Sequence, residues 1–324
     1  MRNWLESLAV TLGKEPTKPA PDRFTAAVCE IHKERQTRRA KEETFKIIED
    51  RKEKVAAPQK WRRRRWAVLI AVNLLFVLSF RLDLQFLEGT LSASRFMGFH
   101  MADIFSALQV MLASKLVLVN LVIGTATVAF LCLGGGRTFC GWICPYHLLS
   151  EWAESLHLML AKRKIARNLK FDRRARVVIW IVFSVLAFGT GYTVYETISP
   201  TGILSRALVY GPGMVLVWVA CLLAFEVLFS RRAWCRYACP IGLTYAVVGS
   251  AAPLRIVYKI GHCHHDGACR EVCLVPHVLD LTKRGRAPDV QVDVGGDCTR
   301  CARCLDVCPT GALSLQVKGL GNRD

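Results

Sequence analysis

Seven cysteines near the C-terminus fall in two runs, CHHDGACREVCLVP and CTRCARCLDVCP, that can be laid over one another in one frame. The downstream run has four cysteines, and the upstream run matches three of them. The position opposite Cys301 carries Asp266 instead. The upstream cysteines are Cys263, Cys269 and Cys273, and the downstream ones are Cys298, Cys301, Cys304 and Cys308. A repeat that exchanges one cysteine for a carboxylate constrains both what the segment folds around and how its two copies differ.

The downstream spacing, C-x2-C-x2-C-x3-C-P, is that of bacterial ferredoxins, in which three cysteines hold one [4Fe–4S] cluster and the fourth reaches the other cluster. Zinc sites typically use two separated C-x2-C pairs instead. The spacing therefore predicts two iron–sulfur clusters. The ligands expected for the first cluster are Cys298, Cys301, Cys304 and Cys273, and those for the second are Cys263, Cys269 and Cys308.

Asp266 stands where the second cluster lacks a fourth cysteine. A carboxylate is a harder ligand than a thiolate and binds this kind of iron more weakly. We therefore expect the iron at Asp266 to be lost easily, so that a [3Fe–4S] core is an alternative to [4Fe–4S]. His264 and His265 are adjacent rivals for the same iron. Asp266 as a turn residue without a metal role is the remaining interpretation.

The rest of the chain combines strong positive charge with a high apolar content. Its 324 residues carry a formal net charge of +18, although 52% of them are hydrophobic and the mean hydropathy is +0.27. The apolar residues form blocks flanked by basic residues, whereas a nucleic-acid surface interleaves basic residues with polar and aromatic ones. We therefore predict no nucleic-acid partner. The blocks cover about residues 66–86, 116–133, 177–198 and 213–229.

The four blocks are close to the length of about 20 residues that crosses a bilayer. Basic residues cluster on one side of them, which by the positive-inside rule places both termini in the cytoplasm. The predicted fold class is mainly α: a four-helix transmembrane bundle from a duplicated two-span unit, with a C-terminal α+β two-cluster ferredoxin-like domain. The expected location is the bacterial inner membrane. The expected boundaries are 1–60 for a charged cytoplasmic N-terminal region, 61–258 for the membrane domain and 259–324 for the ferredoxin-like domain.

Two further cysteine pairs follow the second and fourth blocks in the same pattern, C-x3-C-P. They are Cys140 with Cys144 and Cys235 with Cys239. Proline suits the first position of a helix, so Cys144 and Cys239 are expected to cap helices, where the helix N-terminus lowers a thiol pKa. If the two halves are symmetric, the four thiols converge. They then hold a metal or cluster, act as redox dithiols, or are buried without a redox role.

Two C-x3-C-P motifs followed by a two-cluster ferredoxin segment resemble the NapH/MauN membrane ferredoxins. The stretches ADIFSALQVMLASK and ISPTGILSRALVYG also resemble segments of that family, and the likeness covers about residues 61–315. The paired motifs are shared with the membrane parts of NosR and of CcoG, a cytochrome oxidase assembly protein.

The resemblance implies an electron-transfer subunit of a quinol dehydrogenase. Its donor is then the quinone pool of the membrane, and its acceptor is a periplasmic ferredoxin-type protein or a cytochrome c that feeds a reductase. The alternative that the resemblance implies is an assembly factor that delivers electrons for metal or cofactor insertion, in a CcoG-like or MauN-like role.

Glu226 is the residue that we expect to act catalytically on a quinol. It lies inside the fourth apolar block, and ionisable groups at membrane depth are costly enough to mark functional sites. Lys115 and Glu196 lie at the ends of their blocks, where they can reach the interface.

Overall fold

The computed structural model describes residues 4–34, 42, 45–46, 49, 59–82, 87–91, 93–96, 98–169 and 171–318. Within these residues the protein is mainly helical and has two small sheets. Most of the stretch from 35 to 58, which belongs to the predicted charged N-terminal region, lies outside the described residues.

The helices are, in chain order, α1 (Trp4–Thr11), α2 (Ala26–Glu34), α3 (Lys60–Arg81), α4 (Ile104–Ser114), α5 (Val119–Gly135), α6 (Thr138–Trp142), α7 (Pro145–Lys162), α8 (Ala175–Thr190), α9 (Val194–Ile198), α10 (Pro200–Tyr210), α11 (Leu216–Leu228), α12 (Pro240–Val248), α13 (Ala268–Glu271) and α14 (Arg303–Val307). The strands are β1 (Leu87–Thr90), β2 (Ala93–Phe96), β3 (Phe99–Ala102), β4 (Leu254–Lys259), β5 (Gln291–Asp293) and β6 (Leu313–Val317). A π-helical turn covers Trp234–Ala238, and 3-10 turns cover Pro21–Arg23, Gly249–Ala251, Ile260–His262 and Pro276–Thr282.

Helices α3, α5, α8 and α11 form the larger part of the four apolar blocks, but the prediction that the blocks span a membrane is wrong. Crossing the hydrocarbon takes about 20 apolar residues, whereas α5 has 17 residues, α8 has 16 and α11 has 13. Helix α3 has 22 residues, but its first turns carry the sequence KWRRRRW. In the part of the chain that the structure describes, no helix is both long and apolar enough to cross a membrane. This finding overturns the four-helix transmembrane bundle and the multi-pass location in the bacterial inner membrane.

The outward faces of these helices nevertheless carry apolar side chains. Phe130 of α5 is 75% exposed, Val185 of α8 is 63% exposed and Val217 of α11 is 58% exposed. Apolar surface that is exposed over several neighbouring helices is typical of a surface that contacts another molecule.

A three-stranded antiparallel sheet, β1-β2-β3, packs through β3 against the N-terminal half of α5. The close approach depends on Gly124, because a Cβ at this position would lie 3.1 Å from the carbonyl oxygen of His100 on β3. Directly after β3, the carboxylate of Asp103 caps α4 by accepting hydrogen bonds from the backbone N–H groups of Phe105 and Ser106. Aspartate is among the residues preferred at a helix N-cap.

The cysteine-rich C-terminal segment forms its own α+β core. Its antiparallel sheet has the order β5-β4-β6, with Val257 of β4 opposite Asp293 on one side and Ser314 on the other. Its core combines apolar residues of the sheet with six of the seven cysteines of the two runs. Val28 of α2 is fully buried in the same core, so the N-terminal residues complete the packing of the C-terminal segment.

A buried carboxylate, Asp297, joins this segment to the helical part of the chain. One of its oxygens accepts hydrogen bonds from Arg137 at 2.6 Å and from Arg176 at 3.0 Å. The other oxygen lies 2.9 Å from Nε2 of His277. Although burial disfavours the charge, Arg176 and Arg137 hold the pKa of Asp297 well below its ordinary value. The two segments therefore meet at an ionised, fully buried contact.

Two further carboxylates on α7 add to this connection. Glu151 accepts hydrogen bonds from Arg62 and Arg65 of α3, and Glu154 accepts one from Arg232 at 2.7 Å. Arg303 of α14 lies within 4 Å of both carboxylates. Although burial opposes it, Arg232 and Arg231 lower the pKa of Glu154 to about 2. A continuous ionic network thus links α3, α7 and the cysteine-rich segment.

Replacing Asp297 should loosen the contact between the two segments. Asp297→Asn leaves Arg137 and Arg176 buried without their anion, and breaking a buried ion pair costs about 3–5 kcal/mol. Urea unfolding of the anaerobically purified protein should show a loss of this order. The matched control is Asp293→Asn, because Asp293 pairs with Arg255 at 2.9 Å but its side chain is 38% exposed, which predicts a loss under about 1 kcal/mol. Equal losses in the two variants would contradict the role given to Asp297.

Candidate iron–sulfur and thiol sites

The structure brings four cysteines of the two runs together around one small cavity. Cys298, Cys301 and Cys304 come from the downstream run, and Cys273 comes from the upstream run. The remaining wall residues are Ile256, Val275, Val278, Leu279 and Thr299. This four-cysteine cavity thus has thiol donors in otherwise largely apolar walls, and each of the four cysteines is at most 9% exposed.

A second cavity combines the other three cysteines with the residue that interrupts the repeat. Cys263 and Cys269 of the upstream run and Cys308 of the downstream run line this Asp266 cavity, together with Asp266 and His264. Ile256 and Tyr258 of β4 each line one of the two cavities. Because side chains two residues apart in a strand point to the same face, the two cavities lie side by side on one face of the sheet.

The three rivals for the fourth position at the Asp266 cavity differ in their placement. Asp266 and His264 line the cavity, whereas His265 is not among its wall residues. Nδ1 of His265 lies 2.8 Å from the carbonyl oxygen of Thr282, and His265 has a positive φ of 59°. The geometry therefore favours Asp266 and His264 over His265 as donors to a bound group.

The donors of both cavities fit an iron–sulfur cluster better than a single ion. Among the described residues, no group of three or more His, Cys, Asp or Glu side chains is arranged to hold one metal ion. A cluster is wider than an ion, and its thiolate ligands stand around its corners. Burial raises the pKa of Cys298 to about 11 and those of Cys273 and Cys304 well above the ordinary value. Thiols of this kind give up their protons when they bind a metal.

The four cysteines of the two C-x3-C-P motifs also converge. Cys140 in α6, Cys144 before α7, Cys235 in the π-helical turn and Cys239 before α12 line one cavity, which we call the C-x3-C-P cavity. Cys144 and Cys239 are the N-cap residues of their helices, and proline follows each of them. Three guanidinium groups share its wall, those of Arg137, Arg232 and Arg236.

The expected lowering of the thiol pKa at these helix N-termini is wrong. Burial raises the pKa of Cys144 to about 12 and also raises that of Cys239. The Sγ atom of Cys144 lies 3.2 Å from the hydroxyl of Thr201, which only partly offsets the burial. A helix N-terminus favours the thiolate by a small amount, and loss of water around the thiol outweighs it here.

His147 is a residue of the C-x3-C-P cavity that sequence reasoning missed. It lies three residues after Cys144 on the first turn of α7, is 3% exposed and lines the cavity. Its Nε2 atom has no hydrogen-bond partner among the described residues, and burial lowers its pKa well below the ordinary value. A neutral imidazole nitrogen is thus available beside the four thiols. The signal in the sequence was its spacing from the cysteine, CPYH.

Glu226 lies deep in the structure, as a residue of α11 that is 1% exposed. One of its oxygens accepts a hydrogen bond from Ser150 at 2.6 Å, and the other accepts one from the backbone N–H of Trp234 at 3.1 Å. Burial raises its pKa. It is not among the wall residues of the cavities described above.

The C-x3-C-P cavity and the four-cysteine cavity adjoin one another, since Thr299 and Val275 line both. Gly141, inside the first C-x3-C-P motif, permits the approach: a Cβ there would lie 3.0 Å from the carbonyl oxygen of Thr299 and 3.5 Å from Cβ of Cys301. The indole N–H of Trp142 donates to the carbonyl oxygen of Arg300 at 3.1 Å. The three thiol-lined cavities therefore form a continuous series.

Comparison with known proteins agrees with this chemistry. A family model described as a 4Fe-4S binding domain matches residues 116–168 and 210–256, the two segments that contain the C-x3-C-P motifs. No solved structure matches the chain significantly.

Curated relatives cover most of the chain. The methylamine utilization ferredoxin-type protein MauN of Methylobacillus flagellatus is 33% identical over 263 residues, which are 79% of this chain and 91% of the relative. MauN of Methylorubrum extorquens is 29% identical over 80% of this chain and 89% of its own. The ferredoxin-type protein NapH of Escherichia coli is 29% identical over 80% of this chain and 91% of its own. The chain is therefore an iron–sulfur electron-transfer protein that belongs to the NapH/MauN family of ferredoxin-type proteins.

Proposed function

We propose that the protein takes electrons from a quinol and passes them, through the C-x3-C-P site and two iron–sulfur clusters, to a ferredoxin-type protein or a cytochrome c that serves a reductase. The observation that supports this most is the continuous series of thiol-lined cavities. Iron–sulfur clusters bound in two of them supply one-electron transfer. The protein's own residues hold the series in order, through Thr299, Gly141 and the buried Asp297 contact.

The proposed ligands follow the walls of the cavities. We assign Cys273, Cys298, Cys301 and Cys304 to a [4Fe–4S] cluster, and Cys263, Cys269 and Cys308 to a second cluster with Asp266 at its fourth iron. His264 is the alternative donor at that iron, since it lines the same cavity. The second cluster is then the one that converts between [4Fe–4S] and [3Fe–4S], because its carboxylate ligand is the weaker one.

At the C-x3-C-P site we propose a bound cluster rather than an inert group of thiols, because no three donors among the described residues are arranged to hold a single metal ion. Four thiols and the unpartnered imidazole nitrogen of His147 face one cavity. The guanidinium groups of Arg137 and Arg232 in its wall lower the cost of an anionic metal–thiolate group. A redox pair of dithiols is the alternative at the same residues.

Glu226 remains a proposal for the proton chemistry of quinol oxidation. Its burial and raised pKa suit a proton acceptor. Both of its oxygens already accept hydrogen bonds, so it would have to give one up to take a proton from a quinol.

The second candidate function is an assembly or maturation role, in which the protein delivers electrons for metal or cofactor insertion. MauN relatives carry methylamine utilization in their names, which leaves the process that this chain serves open between the two candidates. The two candidates differ in the electron donor, since only the first requires a quinol.

Ligand assignment can be tested by iron content. We expect Cys304→Ser to lose about four irons per chain, because it removes one corner of the all-cysteine cluster. The matched control is Cys132→Ser, since Cys132 is equally buried at 4% exposed but lies outside the three thiol-lined cavities. Iron is measured on protein purified or reconstituted without oxygen. An unchanged iron content in Cys304→Ser would refute the assignment.

The two clusters should be unequal because of Asp266. We expect two distinct electron paramagnetic resonance signals in the reduced and oxidised protein, with one cluster easily losing an iron. Asp266→Cys supplies the missing thiolate, so the two signals should converge towards two ordinary [4Fe–4S] clusters. The control His265→Cys places a thiol at a residue outside the wall of the cavity and should leave the two signals distinct. Two indistinguishable [4Fe–4S] signals in the unmodified protein would show that Asp266 is only a turn residue.

The electron donor separates the two candidate functions. In a stopped-flow experiment without oxygen, duroquinol should bleach the iron–sulfur absorbance of the protein within seconds if the protein oxidises quinols. Dithionite reduces the same sample as a control for intact clusters. If dithionite reduces the clusters but duroquinol does not, the result would favour the maturation role.

A further inference from the structure

A further cavity, of about 240 Å³, lies between α3, the β2-β3 hairpin and α5. Its walls are almost entirely apolar or aromatic, and one face is closed by α6 and Tyr245 of α12. Its wall includes Val72 of α3, Asp103, Leu131 of α5, Phe139 and Tyr245. Leu131 at the rim is 55% exposed. The volume lies just below the range of about 300–1,000 Å³ typical of small-molecule sites, so the cavity suits a molecule with one ring.

Asp103 is the acidic residue in the wall of this apolar cavity, and its two oxygens differ. Oδ2 caps α4 and accepts hydrogen bonds from the backbone N–H groups of Phe105 and Ser106 at 3.1 and 3.0 Å. Oδ1 accepts no hydrogen bond from the described residues, although the side chain is only 5% exposed. The phenol of Tyr245 lines the same cavity and lies close to this carboxyl group, but no donor among the described residues reaches Oδ1 with hydrogen-bond geometry. A buried acceptor in the wall of the cavity can therefore accept from a bound molecule.

A second carboxylate lies behind Asp103 and connects it to the surface. The hydroxyl of Ser106 contacts Oδ2 of Asp103 at 3.2 Å and also forms a hydrogen bond with Oε1 of Glu196. One hydroxyl has one proton, so two carboxylates can share it only if a further proton resides on one of them. Glu196 is half-buried. Asp103, Ser106 and Glu196 thus form a chain of proton-exchanging groups that leads out of the cavity.

The apolar cavity adjoins the C-x3-C-P cavity. Phe139 lines both, and its ring lies 5.3 Å from that of Tyr245. Cys140 follows Phe139 in the chain and belongs to the C-x3-C-P cavity. A molecule in the apolar cavity is therefore separated from the thiol site by one aromatic side chain.

We infer that the apolar cavity is the binding site of a hydroquinone, one hydroxyl of which donates its hydrogen bond to Oδ1 of Asp103. The inference rests on the proposed function and assigns its donor site to Asp103 rather than to Glu226. Oxidation of one hydroquinone to the quinone releases two electrons and two protons. The two electrons would leave one at a time, towards the clusters that the cysteines of the two runs would hold. Asp103 accepts the protons in turn, because Ser106 and Glu196 pass each of them on.

Asp103→Asn provides a test that a merely structural residue would not satisfy. Asparagine is as good an N-cap as aspartate, and its oxygen must face the backbone N–H groups to cap α4. Its NH2 group then faces the cavity, where it can donate to a quinone carbonyl but cannot accept from a hydroquinone hydroxyl. We expect the variant to bind duroquinol about tenfold more weakly, since the ligand hydroxyl loses its acceptor and is left buried without a hydrogen bond. Duroquinone should bind as well as before or better.

The binding is measured by isothermal titration calorimetry on the full chain without oxygen, with the dimethyl ether of duroquinol as a ligand that cannot donate. Val72→Trp should abolish binding of duroquinol and duroquinone, because it fills the cavity. Its matched control is Val68→Trp, one turn earlier on α3, where the side chain is 39% exposed and lies outside the cavity wall. This control should leave binding unchanged.

The possible results separate this inference from the proposed function. If duroquinol binds and reduces the clusters but Asp103→Asn and Val72→Trp bind it like the unmodified protein, the site is elsewhere and only this inference is overturned. If the unmodified protein neither binds duroquinol nor is reduced by it, the quinol-oxidising function is overturned as well. If Asp103→Asn weakens the binding of duroquinol and of duroquinone equally, Asp103 only shapes the cavity, and the assigned hydrogen bond is wrong.

Discussion

The carboxylate of Asp297 fixes the distance between the two kinds of cysteine motif. It directly precedes Cys298 of the four-cysteine cavity, and its partner Arg137 lies three residues before Cys140 of the C-x3-C-P cavity. A buried ion pair tolerates little displacement, because each charge loses its compensation when the pair opens. Gly141 passes close to Thr299 a few residues from this ion pair. The buried carboxylate thus helps to hold the thiol-lined cavities next to one another.

The grouping of the cysteines was predictable because it follows from their spacing over short stretches of the sequence. Ligand spacing around a cluster is set by how tightly a short chain can wrap it, and this spacing is visible in the sequence. The two downstream–upstream groupings in the four-cysteine cavity and the Asp266 cavity are those that the bacterial ferredoxin pattern predicts. The capping positions of Cys144 and Cys239 were also predictable, since proline after each cysteine starts a helix. That these sites bind iron remains a proposal.

The features that sequence reasoning missed depend on packing between distant segments. In the sequence Asp103 is an ordinary N-cap, and only the packing of α3 and α5 encloses a cavity in front of it. His147 lies beside four thiols only because the fold brings the second C-x3-C-P motif next to the first. The apolar blocks led to the wrong prediction of membrane-spanning helices for a related reason. Hydropathy counts apolar residues whether they are helical or not, and α11 covers only Leu216–Leu228 of the block at 213–229.

The burial of Val28 has a consequence for the order in which the protein is built. A ribosome makes the N-terminal residues first, but the core that receives Val28 is formed by residues of β4 and β6 and by the cysteine-rich segment at the other end of the chain. Helix α2 therefore cannot complete its packing until nearly the whole chain has been synthesised. Contacts of such long sequence separation form late, because the intervening chain must first be closed into a loop. During synthesis α2 therefore stays without its packing partners until the cysteine-rich segment has emerged.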